Sequence, residues 1–141
     1  MIKFKLVDNR TRVARKIKEL QDQLEELPKV FMKKTADEIV FNSPVDTGTY
    51  MDAHNIGAVG ALTTSHGKPR NQPWQPYAQT AIDRLYSQID GLDFNTTKHY
   101  ISNNSAHAWK VEYELQYAPY TTARARAQAL LDDAIREVMN K

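Results

Sequence analysis

Ile2, Phe4 and Leu6 alternate with Lys3 and Lys5 at the start of the chain. Alternation of this kind predicts a short strand with one buried face. Asp8 or Asn9 then offers a side-chain oxygen to cap a helix. From Val13 the period changes: Val13, Ile17, Leu20, Leu24 and Leu27 follow at steps of four and three, one seam along a helix. Pro28 is expected to break or kink that helix, because proline lacks an N–H and clashes one turn back. A second helical stretch follows, with Val30, Phe31, Ala36, Ile39 and Val40 on its apolar face. It should end near Asn42, since Ser43 precedes Pro44 and is pushed out of the helical region.

Residues 57–76 hold three of the five glycines and three of the six prolines, so a long exposed loop is expected there. Beyond it, Ala78, Ala81, Ile82, Leu85 and Ile89 share one side of a helix that Gly91 is placed to end. The stretch from Thr97 to Leu115 reads as a β-hairpin turning at Asn103, Asn104 and Ser105. Tyr100 would then oppose Trp109 and Lys98 oppose Val111, with Trp109, Val111 and Tyr113 on the core face. A last helix is expected from Thr121 or Thr122 to Met139, carrying Ala123, Ala127, Leu130, Leu131, Ala134, Ile135 and Val138 on its apolar side. The sum is one α+β domain over residues 1–141: a small antiparallel sheet, made of the N-terminal strand and the C-terminal hairpin, against long helices.

Composition narrows the chemistry. The chain has 141 residues and no cysteine. Disulfides, thiolate metal sites and a cysteine nucleophile are therefore excluded. No apolar run approaches a membrane span, and the N-terminus lacks the apolar core of a signal peptide. A protein made in the cytosol, with no membrane partner, is expected. The net charge of +2 lacks the basic excess of a dedicated nucleic-acid binder. The charges are grouped nonetheless: RTRVARKIK and ARARAQ are basic, DQLEEL and LLDDAIRE acidic. Such groups read as solvated helix faces, or as a surface that meets charged neighbours in an assembly.

One tripeptide suggests catalysis. Asp46-Thr47-Gly48 matches the sequence that carries the carboxylate of aspartic proteases, which need two such groups sharing a proton. A homodimer could supply the pair. But the protease motif follows an apolar strand in an all-β domain, and here it follows a helix that stops at Pro44. A turn accounts for the residues better: Asp46 accepts from the next backbone N–H groups, and Gly48 supplies a positive φ. His54, His66, His99 and His107 show no metal-ligand spacing and read as surface or hairpin-edge residues, with no cofactor implied. Neither a nucleophile elbow nor a glycine-rich phosphate loop is present. Trp74 and Tyr77 read as core residues or as anchors of a subunit contact.

Two stretches together carry a resemblance. The first is SPVDTGTYMDAHNI, with Pro44, Val45, Asp46, Thr47 and Gly48. The second is HYISNNSAHAWKVEYEL, with Tyr100, Ile101, Ser102, Asn103, Asn104, His107, Ala108, Val111, Glu112 and Tyr113. In that order and spacing, over about residues 10–140, the chain resembles the neck or tail-completion (head–tail joining) proteins of tailed double-stranded DNA phages. It departs from them at Glu114, where a glycine is usual, and at Tyr50–His54, where an arginine and a tryptophan are usual. The resemblance implies a structural virion protein rather than an enzyme. It would form a homo-oligomeric ring, sixfold or twelvefold, between a head-connector or portal-side ring and the tail tube or terminator proteins. DNA would pass through the lumen without sequence readout. A tail terminator or another virion assembly protein is the alternative, and a small hydrolase using Asp46 a more distant one. The 57–76 loop and the N-terminal helix seam are the expected contact regions.

Overall fold

The computed structural model describes residues 6–57, 69–94 and 99–140, with side chains from residue 10 onward. Its elements are helix α1 (Leu6–Phe41), a single-turn helix α2 (Thr49–Asp52), strand β1 (His54–Ile56), helix α3 (Trp74–Asp90), strand β2 (Ile101–Asn103), a π-helical turn (Lys110–Glu114), helix α4 (Pro119–Ala125) and helix α5 (Ala127–Met139). This is an α+β fold with long helices and a small antiparallel sheet.

α1 is the spine, and α3, α4 and α5 pack along its second half. Its inner face presents Ala36, Ile39 and Val40. On one side Ala36 and Val40 meet α3 through Ala78, Ala81, Leu85 and Ile89, the positions whose spacing predicted a helix; Met51 and Ile56 complete that core. α5 buries Leu130, Ala134 and Val138, one residue per turn, and α4 buries Ala123. Polar links tie the same helices together at the rim. Lys33 pairs with Asp90 at 2.8 Å and Arg126 with Glu38 at 2.7 Å. The Tyr86 hydroxyl donates to Asp37, whose carboxyl burial pushes above the usual carboxylate range.

Several expectations need correction. Pro28 does not break the helix: α1 runs through it as one element of 36 residues. The missing bond and the ring clash cost about 3 kcal/mol, and packing of the following three turns on α3 and α5 offsets that. Ile2 and Phe4 of the expected N-terminal strand lie outside the described residues, and Leu6 already belongs to α1. α3 starts at Trp74, inside the stretch read as loop. The C-terminal helix starts two residues early, at Pro119, and is two elements with a turn at Arg126.

The largest correction concerns the hairpin. Its first arm is a strand, but that strand pairs with β1: His54 opposite Asn103, Asn55 opposite Ser102, Ile56 opposite Ile101. The second arm is helical. Trp109 and Tyr113 are four apart, so they share a face in a helix as well as in a strand. In the helix that face points outward: Trp109 and Tyr113 are about two-thirds exposed, with ring centroids 5.4 Å apart, while Val111 between them is buried. The turn itself survives, since Asn103 Oδ1 accepts the Ser105 N–H at 2.9 Å.

Candidate functional site

The two stretches that carry the resemblance fold against each other. The first begins where α1 ends. Ser43 donates its hydroxyl hydrogen to the Ile39 carbonyl at 2.6 Å, one turn back, and Pro44 prevents further helix. Asp46 then reaches across the chain rather than forward along it. Its carboxylate accepts the Asn71 N–H at 2.8 Å and Arg70 Nε at 2.9 Å, and its carbonyl accepts the Gln72 N–H at 2.8 Å. The expected turn onto its own following N–H groups is therefore replaced by a clamp on residues 70–72. The Asn71 N–H, then the Arg70 guanidinium, hold the Asp46 carboxyl below the usual carboxylate range. Thr47 makes the local turn instead, bonding the Thr49 hydroxyl at 2.9 Å.

Gly48 leads into α2 with φ +88°, a left-handed conformation that favours glycine. It is also where the Tyr77 ring rests: a Cβ here would overlap that ring. Trp74, one turn earlier on α3, donates its indole N–H to the Ser43 carbonyl at 2.9 Å. Both aromatics also pack on the core. Trp74 and Tyr77, expected as core residues or as anchors of a subunit contact, pack on the core and hold the Pro44–Gly48 turn on α3. Val45 joins them on the same core.

Behind the turn lies a buried polar cluster centred on His54, which is 1% exposed. The Ser43 hydrogen goes to Ile39, and a carbonyl can only accept, so Ser43 Oγ must receive the proton of His54 Nε2 at 2.8 Å. Nδ1 is then bare and accepts from the Tyr120 hydroxyl at 2.7 Å and from Asn103 Nδ2 at 3.2 Å. Asn103 Nδ2 also donates to the Tyr50 carbonyl at 2.8 Å, and the Asn104 N–H donates to Ala53. Burial, with the Arg84 charge nearby, pushes the imidazole pKa down to about 3, so it is neutral at physiological pH. Burial likewise raises the Tyr50 and Tyr120 hydroxyl pKa values. The contact looks like a serine–histidine pair, but its hydrogen bonds run the wrong way for one. A base must accept the hydroxyl proton, and here the ring donates to that hydroxyl.

Glu112 of the second stretch performs a different task. Its carboxylate accepts the N–H groups of Tyr120 and Thr121 at 3.2 and 2.6 Å and the Thr121 hydroxyl at 2.6 Å. It thereby caps the first turn of α4, where a negative charge is favourable. Beside it Val111 is buried and Ala108 half-buried, whereas Tyr100, Trp109 and Tyr113 face solvent. Trp109 and Tyr113 flank a recess of about 330 Å³ floored by Tyr50, Ser102 and Asn103. An open cleft of about 900 Å³ separates the Pro44–Tyr50 wall from His107, Lys110 and Tyr117.

Among the described residues no group of three histidine or acidic side chains is placed to hold a metal ion. His99 bonds the Asp93 carbonyl at 2.7 Å, His107 is exposed, and His66 lies outside the described residues. His54 departs from the expected surface role. Sequence reasoning missed its partners because Ser43, Asn103 and Tyr120 are distant along the chain and carry no spacing rule. No helix among the described residues is long and apolar enough to cross a membrane. Comparison with known protein families, characterised proteins and solved structures finds no match to this chain.

Proposed function

We propose that this chain is a structural virion protein of a tailed phage, forming an oligomeric ring at the junction of head and tail. The observation that carries the reading is the union of its two motif stretches. Ser43, at the start of the first stretch, and Asn103, at the end of β2, both bond His54, and Asn103 also donates to the Tyr50 carbonyl. The two stretches that carry the resemblance thus form one structural unit here, joined at Tyr50 and His54, where this chain has its own residues, and that union needs no catalysis. Of the groups that suggested hydrolysis, Ser43 and His54 are spent on holding that unit and Asp46 on clamping residues 70–72.

A ring subunit must offer apolar surface to its neighbours. Exposed large apolar side chains outside the first part of α1 include Trp109, Tyr113, Tyr100 and Phe41. They supply anchors of the kind that dominate subunit contacts. DNA passing through such a ring needs no base readout, in keeping with a net charge of +2.

Inactivation of the gene in its phage tests the proposal. Filled heads and complete tails that fail to join are the expected product, with the tagged protein seen at the neck of wild-type particles by electron microscopy. Normal, infectious particles made without the protein would overturn it.

A further inference from the structure

The first part of α1 stands away from the body. Val13, Ile17, Leu20 and Leu24 are 56, 51, 40 and 68% exposed, although together they form a continuous heptad seam. The charges on the same stretch are segregated. Arg10, Arg12, Arg15, Lys16 and Lys18 come first, and Glu19, Asp22, Glu25 and Glu26 follow. Lys16 with Glu19 and Lys18 with Asp22 form only exposed pairs within the helix, at 3.4 and 3.7 Å.

We propose that two copies of this chain pair through this part of α1, antiparallel, with Ile17 of each copy against Leu20 of the other. One register then satisfies the whole pattern. Placing Ile17 opposite Leu20 also places Val13 opposite Leu24, so all four apolar positions meet apolar partners. It brings Lys18 level with Glu19, Arg15 level with Asp22, and Arg12 level with Glu25. Every one of these matches follows from the first, because the sequence is self-complementary about the Lys18–Glu19 bond. These charged residues lie on the flanks and outer faces. They act by aligning a basic half-helix with an acidic one across a helix spacing of about 8–10 Å, near one screening length. Parallel pairing would set basic against basic and acidic against acidic. It would also crowd both bodies at one end, whereas the antiparallel pair holds them at opposite ends.

The contact is isologous and self-limiting: it makes a pair and leaves the rest of each body free for other contacts. With a seam of four side chains per copy it is smaller than a standard interface, so dissociation in the micromolar range is expected. It does not rest on the neck reading. A phage assembly defect says nothing of helix direction, and a monomeric arm would leave the neck reading standing.

The absence of cysteine allows a direct test. Val13→Cys and Leu24→Cys proteins are prepared separately, then oxidised alone and mixed. The two positions are eleven residues apart, about 16 Å along a helix, far beyond the reach of a disulfide. Antiparallel pairing therefore predicts cross-linked dimer in the mixture and little in either protein alone. Sedimentation of the wild type should show a reversible dimer, and Ile17→Asp should abolish it with the far-UV circular dichroism of the body retained. Cross-linking of Val13→Cys alone would mean a parallel pair and overturn the proposal. So would a wild-type monomer at every concentration with no mixed cross-link, the outcome expected if another protein covers the seam.

Discussion

Gly48 meets two constraints at one position: a backbone at φ +88° and the face of Tyr77 where a Cβ would go. Left-handed backbone costs a non-glycine residue about 1–3 kcal/mol, and overpacking a similar amount. Gly48→Ala is thus expected to lower unfolding free energy by about 2–4 kcal/mol, measured in urea. Adding Tyr77→Ala should return the overlap part of that loss and not the backbone part, which a double-mutant cycle separates. His54 makes a prediction in pH. The unfolded imidazole takes up a proton near 6.5, the folded one only near 3. Between those values the unfolded state holds more protons. The contribution is fully present above about pH 7 and is lost as pH falls, by up to about 1.4 kcal/mol per unit. From pH 7 to pH 5 the wild type should lose about 2 kcal/mol more than His54→Gln, whose side chain does not titrate. The Asp-Thr-Gly turn was legible as a turn. The partner of Asp46 was not, because Asn71 lies twenty-five residues away.

At the scale of elements, α3 and α5 were legible because their apolar residues repeat over three or more turns, a length that a strand cannot mimic. The five residues Trp109–Tyr113 were not. Over so short a run, a period of two and a spacing of four select the same side chains. What decides is Glu112. In a strand its carboxylate would share a face with Ala108 and Lys110; in the π-helical turn it is 9% exposed and holds three donors of α4. Glu112→Ala should leave the α4 N–H groups of Tyr120 and Thr121 without acceptors and lower stability by about 1–3 kcal/mol. Amide hydrogen exchange should show faster exchange at those two N–H groups first. Pro28 belongs to the same lesson: proline was read as a break or a kink, and the helix is unbroken because packing of Ala36, Ile39 and Val40 outweighs one missing helix bond.

For the whole molecule, the apolar residues that a protomer does not bury are the informative ones. Among the described residues many of them fall on the first part of α1 and on the segment from Trp109 to Tyr117, with Phe41, Tyr100, Ile135 and Met139 elsewhere. Substituting Trp109→Ser together with Tyr113→Ser removes large surface without touching the core. Stability of the purified protein should change by no more than about 0.5 kcal/mol per site, while under the proposed neck role incorporation into particles falls severely in a complementation assay. A loss of folding instead would place these rings in the core after all. The paired motifs mark the opposite case. Where they meet, Ser43 and His54 are buried and Asn103 half-buried, so changes at these three should act only through stability.

The sequence by itself determined where the long helical stretches lie, though not that α1 runs unbroken through Pro28 or that the last stretch is two helices, since a period of 3.6 sustained over several turns has one structural solution. It also determined the ends set by Pro44 and Gly48, where local sterics suffice, and the heptad seam with its opposed charges. Tertiary structure alone decided which strand β2 pairs with, which way Trp109 and Tyr113 face, and where His54, Asp46 and Glu112 find partners. Those outcomes depend on groups from eight to sixty-six residues apart, and the energy that selects them arises when both sides lose water at once. A short segment cannot carry that information before the rest of the chain closes over it.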